Sequence, residues 1–75
     1  MSVIFQSNNQ EIHNSIICKN TDHFTTIVNL LYDKFPKYRK LECFFLFNGK
    51  KINEYNTLKE LNIKDGDVIM LNQYE

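Results

Sequence analysis

Four side chains of this sequence are suited to nucleophilic or metal chemistry: Cys18, Cys43, His13 and His23. A nucleophilic thiol needs a depressed pKa and a base at hand. Both cysteines instead fall in apolar runs, Ile16-Ile17-Cys18 and Cys43-Phe44-Phe45, where a reduced thiol packs as a small hydrophobe. Cys18-x4-His23, with His13 and Cys43, can be read as a metal set. The paired, closely spaced ligands of zinc sites are absent from it. There is no glycine-rich phosphate loop. Asp65 and Asp67 flank Gly66, where aspartates serve turn chemistry. The expectation is a non-enzymatic chain with no metal, cofactor or small-molecule substrate. Two cysteines also make no disulfide framework.

Seventy-five residues form one domain, 1–75, with room for a modest core and little room for a deep cleft. Nine basic and nine acidic residues cancel to zero net charge. That argues against a nucleic-acid binder working through a general basic field. Lys34, Lys37, Arg39 and Lys40 form one local cluster, read as a solvated helix end and loop that can steer an acidic partner. Residues 1–7 lack the basic start and apolar run of a signal peptide. No segment has the length to cross a bilayer, so no membrane partner is expected. Reduced cysteines suit the cytosol or nucleus.

The elements follow from periodicity and punctuation. Ser2–Gln6 and Glu11–Cys18 are β-prone runs around the polar turn 7–10, which reads as a hairpin. Thr21 or Asp22 is positioned to cap a helix over His23–Phe35. Phe24, Ile27, Leu31 and Phe35 give that helix one apolar stripe, and Pro36 ends it. Residues 36–41 read as a basic loop. Glu42–Phe47 is a third strand, Asn48-Gly49 a hairpin turn, and Lys50–Ile52 a brief fourth strand. Thr57–Leu61 suggests one helical turn, and Asp67–Gln73 a last strand. One amphipathic helix must cover one sheet face. The fold class is α+β, in the order β-β-α-β-β-(short helix)-β.

In that order and spacing the chain resembles the ubiquitin-like superfamily, the β-grasp fold. The likeness rests on Phe45-Leu46-Phe47-x-Gly49-x-x-Ile52, then Thr57-Leu58, Leu61, Ile63 and Asp67-x-Ile69-x-Leu71. The FLF-x-G run, the DVI start of the last strand, Gln73 and Glu11-Ile12-His13 bring it closer to SUMO and SUMO-like domains than to ubiquitin.

Alternation divides the later strands into two sets. If Phe45, Phe47, Ile69 and Leu71 face the core, then Phe44, Leu46, Val68 and Met70 face outward. With the strands paired as the resemblance implies, these four form an exposed apolar patch, which a soluble monomer rarely keeps without a use. The resemblance implies a docking surface there, carried by Leu46 and Met70. It implies a second one in a groove between the second strand and the helix, lined by Ile16 or Ile17, Lys19 and His23, that accepts a partner's strand. The expected partners are proteins, either of the ubiquitin and SUMO pathways or subunits of a larger assembly. Conjugated members of the superfamily end in Gly-Gly, whereas no glycine follows Gly66 here. As written, the chain is not conjugatable, and it is expected to be read by partners rather than attached to them. The alternative is a covalent modifier whose Gly-Gly lies outside this sequence.

Overall fold

The first strand, β1 (Ser2–Ser7), buries Val3, Phe5 and Ser7 and turns Ser2, Ile4 and Gln6 to the opposite face. This period of two divides the whole sheet into an inner and an outer surface. The computed structural model describes residues 1–74. After β1 come β2 (His13–Ile17), helix α1 (Phe24–Lys34), a 3-10 turn (Pro36–Arg39), β3 (Cys43–Phe47), β4 (Lys50–Lys51) and β5 (Val68–Gln73). They build one five-stranded sheet in the order β2-β1-β5-β3-β4. The central pair, β1 with β5, is parallel, and the other pairs are antiparallel. This is the α+β β-grasp roll, with α1 on the inner face.

The core lies between α1 and that face. Phe24, Ile27, Val28 and Leu31 from the helix meet Val3, Phe5, Ile16, Phe45, Ile69 and Leu71 from the strands. Phe5, Phe24 and Phe45 form a triangle with ring centroids 5.4–5.9 Å apart. Tilted and edge-on pairs of this kind add about 0.5–1.5 kcal/mol each beyond their buried area. Leu58 and Ile63, from the long connection before β5, close the core at one end. Phe35 and Phe47 are only partly buried and pack against its rim.

Several expected details differ. Neither Thr21 nor Asp22 caps α1. The Asp22 carboxylate instead accepts the Lys19 N–H at 2.9 Å. The helix start is satisfied by main chain: Phe24 and Thr25 donate to the carbonyls of Asn56 and Glu54, each at 2.9 Å. A neighbouring loop thus replaces the capping side chain. Residues 36–39 are not open loop, because the 3-10 turn carries Tyr38 into the core. The short helical element therefore precedes β3. Thr57–Leu61 is instead a set of turns, held by a reciprocal Thr57–Glu60 box: Thr57 N–H donates to Glu60 Oε1 at 2.8 Å and Glu60 N–H to Thr57 Oγ1 at 3.2 Å. β2 begins at His13 rather than Glu11, since buried Ser7 uses its hydroxyl to accept the Ile12 N–H at 2.9 Å and shape the loop. The Asn48-Gly49 turn is as expected, with φ of 53° and 77°.

Candidate functional site

The outer face follows from strand register. Ile4 pairs with Ser15 on one side and Val68 on the other. Gln6 lies between His13 and Met70, Met70 pairs with Leu46, and Leu46 with Lys51. Ile4, Val68, Met70 and Leu46 therefore form one apolar tract across three strands, bordered by Gln6, His13, Ser15 and Lys51. Val68 is 42% exposed, and Ile4, Leu46 and Met70 are half-buried. Alternation in β1 carried the signal for Ile4: with Val3 and Phe5 inside, Ile4 must face out.

Phe44 sits at the edge of this tract under a cover. The Tyr74 ring lies on it, with centroids 4.6 Å apart. The Lys51 ammonium stands 5.6 Å from the Phe44 ring and 5.1 Å from the Tyr74 ring, and donates to the Tyr74 hydroxyl. Asn72, opposite Phe44 in the register, keeps a buried amide nitrogen with no partner among the described residues. The four residues Phe44, Leu46, Val68 and Met70 thus share a face, and Phe44 is the least free of them.

The two sheet edges are unlike. β4 is two residues long, and both are lysines, a usual means of discouraging strand addition. β2 is five residues, with neither lysine nor proline. Its free groups follow from the ladder. Cys18 N–H donates to Met1 O at 2.8 Å, and Ser7 N–H to Ile12 O at 3.0 Å. Alternation between these two bonded pairs directs the main chain of Asn14 and Ile16 toward β1, and that of His13, Ser15 and Ile17 away from it. Three residues therefore offer N–H and C=O groups along an open edge.

Beside this edge runs a recess lined by Ser15, Ile16, Ile17, Leu30, Asp33 and Lys34. Of the two adjacent isoleucines, Ile16 is 4% exposed and Ile17 85% exposed, so Ile17 is the one displayed. Lys34 donates to Asn14 Oδ1 at 3.3 Å. Lys19 and His23 are exposed but do not line it. His23 Nδ1 bonds the Tyr55 carbonyl at 2.8 Å, which turns the ring toward the loop before Thr57.

The candidate chemical groups are dispersed. Among the described residues no three of His, Cys, Asp and Glu come together as a metal set. Burial pushes the Cys18 and Cys43 thiols up, opposite to the shift a nucleophile needs. Burial also takes the Tyr32 hydroxyl up to about 12. The Glu11 carboxyl is held low, chiefly by the Tyr38 hydroxyl at 2.5 Å and also by Lys37 at 3.0 Å. Among the described residues no helix is long and apolar enough to cross a membrane.

A family model described as ubiquitin-2 like Rad60 SUMO-like matches residues 1–71. The chain belongs to that family. The match takes in all of β1 to β4 and β5 through Leu71, including the apolar tract and the β2 edge of this SUMO-like domain. No curated protein matches it.

Proposed function

We propose that this SUMO-like domain is a non-catalytic docking module that binds protein partners through two surfaces. One is the outer apolar tract, with Leu46, Val68 and Met70 at its centre and Phe44 at its border. The other is the β2 edge with the recess beside it, where a partner strand adds main-chain bonds and sets a side chain against Ile17 and Leu30. Lys19 and His23, which do not line the recess, stand outside this second surface. The observation that carries the reading is the contrast between edges: β4 is guarded by lysines while β2 is open and ends in a displayed isoleucine. The apolar tract supports it independently, since burial of such side chains is the main source of association energy. Raised thiols and dispersed histidines favour binding over catalysis. Reduced cysteines suit a partner in the cytosol or nucleus.

The test is affinity capture from a native extract with the wild-type domain, Leu46→Asp/Met70→Asp, and Ser15→Pro. Circular dichroism establishes that each variant is folded. Each surface is expected to account for a distinct set of captured proteins, lost with its own variant. Retention of every partner by both folded variants refutes the docking role.

A further inference from the structure

The basic cluster at the end of α1 lies outside both docking surfaces except for Lys34, which also borders the β2 recess. It borders two adjoining recesses that share Pro36 and Lys37. Phe35, Pro36 and Leu41, the last 41% exposed, form the accessible apolar floor, with the core residues Ile12 and Tyr38 behind it. Three lysines, Lys34, Lys37 and Lys40, stand around it, and Glu11 is the one acid in the lining.

Ion pairing sorts these charges. Glu11 engages Lys37 at 3.0 Å and the Tyr38 hydroxyl at 2.5 Å. Arg39 is taken by Asp33 at 2.8 Å. Lys34 reaches a neutral amide oxygen, and Lys40 has no carboxylate partner among the described residues. Two uncompensated cations are left, one in each recess, with the apolar floor between them. The Glu11–Lys37–Tyr38 bonds fix the wall in the middle, so little ordering is needed on binding.

We propose that this depression is a further peptide-docking site, taking an acidic segment of a partner protein in which apolar side chains are flanked on both sides by carboxylates. The apolar residues lie over Phe35, Pro36 and Leu41, and the carboxylates meet Lys34 and Lys40. The floor decides between occupants. A nucleic acid backbone or free phosphate has no use for this apolar floor and is held poorly by two free cations on a protein of zero net charge. Lys34 also borders the β2 recess, whereas Lys40 belongs to this site alone.

The test is an NMR titration of the 15N-labelled domain with the synthetic peptide acetyl-Gly-Glu-Leu-Leu-Glu-Gly-amide. Parallel titrations use its Gln-for-Glu counterpart and a thymidine hexanucleotide. Shifts are expected at Ile12, Tyr38 and Leu41, with weak, salt-sensitive binding. Lys34→Gln and Lys40→Gln should each weaken it by about two- to fivefold, the range for exposed ion pairs. Ser15→Pro should leave it unchanged, which separates this site from the β2 edge. The proposal is overturned by an absence of shifts at millimolar peptide, by shifts centred on Ile17 and Leu30, by equal binding of the Gln peptide, or by tighter binding of the oligonucleotide at the same residues.

Discussion

The free ladder of β2 makes a prediction that needs no partner. Proline at Ser15 removes an N–H that points away from β1, so no bond of the sheet is lost. Proline is tolerated on an edge strand in this orientation, and the expected cost is under about 1 kcal/mol. Proline at Asn14, one residue earlier, removes an N–H that points at β1 and strands a carbonyl on Phe5. A lost ladder bond together with an unsatisfied acceptor costs about 3 kcal/mol. For a domain of this size each kcal/mol moves the melting temperature by about 4–8 °C. Ser15→Pro should therefore melt within about 8 °C of wild type, and Asn14→Pro at least about 12 °C lower. Thermal melts by circular dichroism measure both. Native-state hydrogen exchange adds a check on the unmodified chain: the amides of His13, Ser15 and Ile17 exchange fast, and those of Asn14, Ile16 and Cys18 slowly. Equal destabilisation by the two prolines, or protected amides at Ser15 and Ile17, would refute the assignment of the open edge. In capture experiments Ser15→Pro should then weaken strand addition about tenfold, the worth of one net hydrogen bond at the upper end of its range.

Three other outcomes follow from local features. Gly66 has φ of 82° with open space around an added Cβ, so Gly66→Ala should cost about 1 kcal/mol from backbone strain alone, read by urea unfolding. Burial raises the Glu54 carboxyl, with Lys51 pulling the other way, so its charged form is disfavoured in the fold. Such a group is least harmful below its unfolded pKa of about 4.3, and its penalty grows as pH rises through the folded value. Glu54→Gln should thus stabilise the domain at pH 7 and lose that advantage by about pH 3, as followed by urea midpoints. Cys18 and Cys43 should react with a thiol reagent more slowly in the native domain than in urea, Cys18 the slower because it is the more deeply buried.

Periodicity made most of the frame legible. The stripe Phe24, Ile27, Leu31 and the alternation around Phe45 and Ile69 identify one helix on one sheet, and Asn48-Gly49 identifies its turn. Tyr38 was hidden because Lys37, Arg39 and Lys40 surround it with charge, and its burial depends on Glu11, which is 27 residues away. The α1 start is hidden for a similar reason: its N–H groups are satisfied by the carbonyls of Glu54 and Asn56, a long-range contact without a side-chain signature. The outer set Phe44, Leu46, Val68 and Met70 follows from alternation, and so does Ile4. The Tyr74 ring on Phe44 extends the same alternation, since the Tyr74 N–H donates to the Glu42 carbonyl at 2.9 Å and the ladder runs on past Gln73, but the end of the last strand has no turn residue to show that it continues. The displayed member of the Ile16-Ile17 pair required the register with β1, which fixes Ile16 opposite Val3.

The parallel pairing of β1 with β5 has a consequence for synthesis. Ile4–Ser7 sit in the middle of the sheet only once Val68–Leu71 lie beside them. A nascent chain that has emerged from the ribosome as far as residue 60 has β1 bare along its second flank, and Phe5 and Phe45 without Ile69 and Leu71. Such long-range closure is slow and leaves strand edges open to neighbouring chains in the meantime. The half-made domain therefore presents two further open edges, on β1 and β3, beside β2 and the guarded β4 of the finished one, and that exposure ends when β5 leaves the exit tunnel and pairs with both.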